Sequence, residues 1–249
     1  MNVLNDKILE MKAYTFRSDH GVEADAPIDF PKLLSSLNVV TFFTSGMGSE
    51  FSGMAYRTSA NDRFMMVNTK QQLGRQHFSI GHELYHLFVQ EHFQFELSYA
   101  GTFDKKNREE YHADLFSSYL LMPEAGIMKM IPEAELGWGG RISLATIIKL
   151  EQFFGVSRRA MLTRLDKMGL LKAGDFDRYI VDVKKSAKEH GYSLDLYEVT
   201  EENFVMGDYG LKAKELFDFE KISESHYHSL MRDIGIDIDK VEHDEQEEE

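Results

Sequence analysis

The sequence His82-Glu-Leu-Tyr-His86 is the feature that most constrains how this chain can fold. It lies in an apolar stretch, residues 78–89, which contains no proline and favours a helix with one buried side. Residues four apart share one face of a helix, so the two imidazoles would lie side by side. Histidines paired in this way can bind one Zn²⁺. Glu83 would then act as general base on a water molecule that the metal activates.

A second segment, residues 107–122, supplies candidates for the third protein ligand that a catalytic zinc site needs. Its apolar residues recur at helical spacing, and we rank Glu110 first as the ligand and Glu109 second. Asp114 shares the helix face of Glu110, where it can accept a hydrogen bond from the second ring nitrogen of a ligand histidine. The other candidate ligands are Glu91, His92 and His112.

The amino-acid composition limits which metal ligands and which binding partners this chain can use. The 249 residues include no cysteine, which excludes disulfides and thiolate metal sites and suits a cytoplasmic protein. The start of the chain lacks a basic segment followed by an apolar run, and no stretch approaches about 18 apolar residues. Neither a signal peptide nor a membrane span is therefore predicted. The formal net charge of −14 makes nucleic-acid phosphates an unfavourable partner.

The order of the predicted elements indicates an α+β fold, in which a small mixed or antiparallel sheet packs on zincin-like metal-binding helices. Strands are predicted at residues 38–43, 54–57 and 64–68, and further helices at 31–37, 143–154, 157–168, 176–190, 211–219 and 223–231. Residues 1–26 are predicted to form a helical leader, residues 92–106 an irregular connection, and residues 123–138 a linker.

We expect three regions along the chain. Residues 1–136 would form the zincin-like metallopeptidase domain, residues 137–174 a helix-turn-helix-like hairpin, and residues 175–249 a helical region with an acidic tail. The hairpin has the spacing of a DNA-reading motif and carries four basic residues: Arg158, Arg159, Arg164 and Lys167. Because the overall charge is wrong for DNA, we favour a hairpin that packs on the first domain or binds a protein partner.

The two metal motifs together resemble the ImmA/IrrE family of metallopeptidases. Residues 78–87 resemble the family pattern F-T-x-A-H-E-L-G-H-x-L, and residues 110–123 resemble E-x-x-A-[ND]-x-F-A-x-x-L-L-M-P. Further downstream, residues 154–165 resemble F-G-V-S-x-x-A-L-x-x-R-L. The resemblance extends over residues 27–171, and its specificity comes from the two metal motifs.

When the family's functional residues are transferred to the matching positions of this sequence, the resemblance implies zinc ligands at His82, His86 and Glu110, with Glu83 as general base. It also implies a substrate class, a cytosolic transcriptional repressor or antitoxin that contains a helix-turn-helix domain and is cut at one site. Family members often act when a mobile element is induced or when the cell is under stress.

Three positions depart from the family pattern. Tyr85 replaces a glycine that permits close backbone approach, so the tyrosine would narrow or reshape the cleft. Ser117 replaces a common alanine, and Asp114 stands where asparagine is frequent and adds a negative charge near the metal. A second donor for the oxyanion of the reaction is not identified by any motif. The candidates are Tyr85, Tyr99 and His112.

Two functions of different classes follow from these observations. The first is a zinc-dependent endopeptidase that cuts a repressor or antitoxin. The alternative is a zinc-containing regulatory module that docks a repressor without cutting it, with Tyr85 filling the cleft. Mass spectrometry of the partner protein after incubation separates the two.

Overall fold

The computed structural model describes residues 3–48, 50–93, 95–98, 100–103, 105–137 and 140–238. Within them, the chain forms helices and one five-stranded sheet, which confirms the predicted α+β class. The helices are α1 (Val3–Asp19), α2 (Phe30–Ser36), α3 (Leu73–Phe88), α4 (Arg108–Leu121), α5 (Glu124–Met130), α6 (Glu133–Leu136), α7 (Leu144–Phe154), α8 (Arg158–Lys167), α9 (Asp175–Tyr179), α10 (Val183–Glu189), α11 (Tyr209–Asp218) and α12 (Glu224–Asp233). The strands are β1 (Val39–Thr44), β2 (Gly53–Arg57), β3 (Arg63–Asn68), β4 (Phe95–Ser98) and β5 (Phe204–Met206).

The sheet is mixed and has the strand order β4-β2-β3-β1-β5. The central strands β1 and β3 run parallel, while every other neighbouring pair is antiparallel. β-Branched and aromatic residues in β1 suit a central strand, and Val39 and Val40 are buried there. Helix α3 packs against β2 and β3. The sheet therefore supports the helix that carries both histidines of the motif.

Helices α3 and α4 approach each other closely at Gly81. A Cβ atom at this position would lie 2.6 Å from the hydroxyl oxygen of Ser117, so only glycine fits without a shift. The Ser117 hydroxyl in turn donates a hydrogen bond to the carbonyl oxygen of Phe78, at 2.7 Å. This contact sets how the histidines on α3 face the acidic residues on α4.

Three predicted segments differ from the structure. The connection at residues 92–106 contains β4, and the linker predicted at residues 123–138 contains α5 and α6. The single helix predicted at residues 176–190 is divided into α9 and α10, because Asp182 has a left-handed φ of 49° that interrupts the helix. Strand β5 was not predicted either. These elements are short and depend on tertiary contacts for their stability. The periodicity of the sequence therefore does not reveal them.

The hairpin formed by α7 and α8 packs into the same apolar core as α3 and α4. Its turn was predicted correctly: Gly155 has a φ of 64°, and the Ser157 side chain accepts a hydrogen bond from the N–H of Ala160. Three of its four basic residues have partners inside the chain, namely Arg158 with Glu151, Arg164 with Glu10, and Lys167 with Asp6. A surface for reading DNA would need these side chains to be free.

Among the helices that the structure describes, none has both the length and the apolar character needed to cross a bilayer.

Candidate metal centre

His82, His86 and Glu110 meet between α3 and α4. The Nε2 atom of His82 lies 3.2 Å from Oε2 of Glu110, and Nε2 of His86 lies 3.1 Å from Oε1 of the same carboxylate. The three ligand atoms all lie within 4.8 Å of one another, and both imidazoles are fully buried. The structure thus brings together the three residues for which metal binding was expected.

The two Nε2 atoms fit a bound cation better than they fit a hydrogen bond. Within the described residues neither atom has a hydrogen-bond partner, although both lie close to the Glu110 carboxylate. A buried polar atom left in this state costs about 1–3 kcal/mol. Imidazole nitrogen and carboxylate oxygen are ligands that Zn²⁺ accepts. The residues present therefore fit a metal ion of this kind.

Asp114 fixes the orientation of His82. Its Oδ1 atom accepts hydrogen bonds from Nδ1 of His82 at 2.8 Å and from the N–H of Gly101 at 2.7 Å. Its Oδ2 atom accepts a third from the N–H of Phe103 at 2.5 Å. Because a carboxylate only accepts, Nδ1 of His82 carries a hydrogen, and Nε2 is the ring nitrogen left to bind a metal ion.

A residue that sequence reasoning missed, Gln90, does the same for His86. The Nδ1 atom of His86 donates to the Gln90 side-chain oxygen, and the ring of Phe93 stacks on the imidazole with centroids 5.2 Å apart. Gln90 lies four residues after His86, so the same periodicity that pairs the histidines indicates this contact. It lies beyond the end of α3, however, where helical spacing is not a reliable guide.

The carboxylates around His82 control its protonation. Burial lowers the pKa of the imidazole, but the neighbouring carboxylates of Asp114 and Glu110 outweigh burial and raise the pKa of His82 to about 10. Burial raises the pKa of Glu110, whereas the two histidines lower it to about 2. A metal ion at this site would thus compete with a proton for the histidine nitrogen.

Glu83 is fully buried, and its carboxylate lies beside the start of β2. A Cβ atom on Gly53 would lie 2.8 Å from Oε1 of Glu83 and 2.9 Å from the carbonyl oxygen of Met66. The absence of a side chain at Gly53 makes room for this carboxylate. The sequence does not pair Gly53 with Glu83, because this contact depends on how the sheet meets α3.

Of the side chains considered as oxyanion donors, the two that the structure describes, Tyr85 and His112, are not members of the metal-site group. The hydroxyl of Tyr85 donates to Oε2 of Glu109 at 2.8 Å, and burial followed by this carboxylate raises the pKa of Tyr85 above its usual value. Its single hydroxyl hydrogen is used there, which leaves an oxyanion role without support. His112 lines the same cavity as Tyr85 and Glu109, and Tyr99 lies outside the described residues. Of the alternative ligands, Glu91, Glu109, His92 and His112 are not members of the metal-site group.

An α+β fold whose two central helices assemble two histidines and a glutamate defines a domain with a candidate metal centre. The chain belongs to the family of the IrrE N-terminal-like domain (Peptidase_M78), whose model matches residues 34–166, more than half of the sequence. The match confirms the resemblance to the ImmA/IrrE family and includes α3, α4 and all three residues of the metal-site group. The family is a peptidase family.

Two further comparisons add no functional information. A search of the curated proteins found no match. One similar solved structure is described as a Mycobacterium tuberculosis transcriptional regulator, with 15% sequence identity and a TM-score of 0.44. The similarity covers 64% of this chain and 46% of that chain, so this chain spans less than half of that regulator's length.

Proposed function

We propose that this protein is a zinc-dependent endopeptidase. The observation that carries the proposal is the convergence of His82, His86 and Glu110, with both buried Nε2 atoms directed at one carboxylate and hydrogen-bonded to nothing in the described structure. Membership of a peptidase family supports the same function.

The residues of the site have separate roles in binding the metal and in orienting its ligands. His82, His86 and Glu110 would hold the zinc ion, while Asp114 and Gln90 keep the imidazoles oriented. When bound, zinc polarises the scissile carbonyl and lowers the pKa of a water molecule.

Glu83 would accept the proton of the attacking water and later donate it to the leaving amine. Its carboxylate is buried next to β2, and this position holds it in place. The dielectric constant there is lower than in water, so electrostatic interactions with the carboxylate are stronger. Gly53 permits this placement, so it contributes to the site without touching the reacting atoms.

For the substrate, we propose a cytoplasmic repressor or antitoxin with a helix-turn-helix domain, as the family resemblance implies. Cleavage of such a protein would release transcription from repression, for example when a mobile element is induced or the cell is stressed. The net charge of −14 supports a protein substrate over a nucleic acid.

The proposal is tested by incubating the zinc-loaded protein with a helix-turn-helix repressor encoded beside it and identifying fragments by mass spectrometry. Wild type should produce defined fragments. Glu83→Gln should keep one zinc ion but lose cleavage by a factor of about 100 or more, because the proton acceptor is gone.

A matched control is Glu109→Gln, which changes an acid on α4 whose carboxylate is bonded to Tyr85. This variant should still cleave. Undiminished cleavage by Glu83→Gln would remove Glu83 from its proposed role. An intact partner that binds wild type tightly would instead identify a docking module.

A further inference from the structure

A cavity of about 670 Å³ lies between the N-terminal half of α3, the connection at residues 100–103 and the N-terminus of α8. The residues proposed for metal binding and proton transfer do not line it. Its volume falls within the range of about 300–1,000 Å³ that is typical of small-molecule sites. The cavity therefore offers space for a ligand that the proposed peptidase chemistry does not require.

The charge of this cavity is opposite to that of the chain. Four basic side chains line it: Arg75, Arg158, Arg159 and Lys184. Among its described lining residues there is neither aspartate nor glutamate. The whole sequence, by contrast, has 42 acidic and 28 basic residues. A local excess of positive charge in such a chain favours an anionic occupant.

Two of the basic groups have no counter-ion within the part of the chain that the structure describes. Arg158 and Lys184 are each paired with a glutamate. Arg75 forms neither a hydrogen bond nor an ion pair through its side chain within the described residues, and Arg159 contacts only the ring of Phe176, at 6.0 Å. Arg75 and Arg159 are therefore available to bind an anion, and a guanidinium is well suited to carboxylate, sulfonate or phosphate.

The first turn of α8 adds to this positive potential. This helix has 10 residues, and its start forms part of the cavity wall together with Arg159. The partial positive charge at a helix N-terminus stabilises a nearby anion. It acts here in addition to the guanidinium groups, which lie on two different helices.

Part of the cavity lining is apolar. Phe78 and Phe103 line it with ring centroids 6.0 Å apart, and Ala100, Ala160 and Val183 extend the surface. Such a wall does not bind a bare ion, but it buries the ring of a ligand favourably.

We propose that this cavity is a binding site for a small anionic ligand with an aromatic body. The anionic group would lie between Arg75 and Arg159, and the ring would pack against Phe78 and Phe103. Neither the metal-site residues nor Glu83 line the cavity, so the proposal does not depend on whether the protein is a peptidase.

The test uses the full chain and two naphthalene dyes that share one ring system. 8-Anilinonaphthalene-1-sulfonate carries the negative charge, and N-phenyl-1-naphthylamine lacks it. Fluorescence titration of wild type should show tighter binding of the sulfonate. Replacing both arginines, in R75Q/R159Q, should weaken sulfonate binding about tenfold or more and leave the neutral dye unchanged.

A variant with the same change in charge, K188Q/R232Q, is the matched control, because both residues are exposed and neither lines the cavity. It should bind both dyes as wild type does. Inorganic phosphate should displace the sulfonate from wild type. Equal sulfonate affinity in R75Q/R159Q and wild type, or an equal loss in the control, would overturn the proposal.

Two measurements keep the outcome clear. Thermal unfolding of R75Q/R159Q should match that of wild type, and the single variants R75Q and R159Q replace the double variant if it does not. Glu83→Gln should bind the sulfonate with wild-type affinity. Failure of the peptidase proposal is thereby distinguished from failure of this one.

Discussion

Two buried polar clusters, one in the α7–α8 hairpin and one at the metal site, differ in how their hydrogen bonds are satisfied. In the hairpin cluster, Nε of Arg158 lies 2.5 Å from Oε2 of Glu151, and Nη2 lies 2.8 Å from Oε1. The carbonyl oxygen of Tyr179 and the hydroxyls of Ser186 and Tyr197 supply further partners. Each charged group in this cluster therefore has several partners inside the chain.

In the metal-site cluster of His82, His86 and Glu110, the two histidines are fully buried and Glu110 is partly exposed, but the central atoms are not satisfied in this way. The Nδ1 atoms of the two imidazoles donate hydrogen bonds to Asp114 and Gln90, while both Nε2 atoms lack a hydrogen bond in the described structure. The comparison distinguishes two uses of buried polarity. Buried polar groups that hydrogen-bond to one another stabilise the packing of the chain. Buried polar groups that are held in place and point at one another without a hydrogen bond are arranged to bind a ligand.

The largest expected effect is on metal binding by the Glu110→Gln variant. Removing the charged ligand should abolish stoichiometric zinc binding under conditions that load wild type, because only two neutral imidazoles remain. Competition with a chromogenic chelator measures this affinity. Glu109→Gln, one position earlier on α4, should retain wild-type affinity. If both variants bound zinc equally well, Glu110 would not be a ligand.

The hairpin cluster should respond in stability and not in metal affinity. Arg158→Met leaves Glu151 buried without its charged partner and should lower the free energy of unfolding by about 3–5 kcal/mol. Urea unfolding of the zinc-free protein measures the change. The double variant E151L/R158M should recover much of the loss, since it removes both charges. A loss in the double variant as large as in Arg158→Met would show that the pair itself is required.

A smaller effect should follow from Asp114→Ala, which removes the group that orients His82. Loss of such an orienting group typically weakens metal binding about 10- to 100-fold. Asp114→Asn should lie between this variant and wild type, because one amide oxygen can still accept from the imidazole. Zinc titration orders the three proteins. Wild-type affinity in Asp114→Ala would show that packing alone orients the ring.

Local sequence pattern was sufficient for part of the metal centre. His82 and His86 are paired by helical spacing within one continuous apolar segment, and Glu110 and Asp114 share a face on the next long helix. These relations depend on the geometry of single helices, which a sequence expresses directly. The Ser157 cap and the Gly155 turn were predictable for the same reason.

Tertiary structure alone decided the contacts that join these elements. The space that Gly53 leaves for Glu83, the pairing of β4 with β2, and the hydrogen bonds from residues 101 and 103 to Asp114 connect distant parts of the chain. The cavity with Arg75 and Arg159 likewise has walls from several elements. Periodicity fixes which residues share a face of one helix, but which faces meet depends on the packing of the whole core.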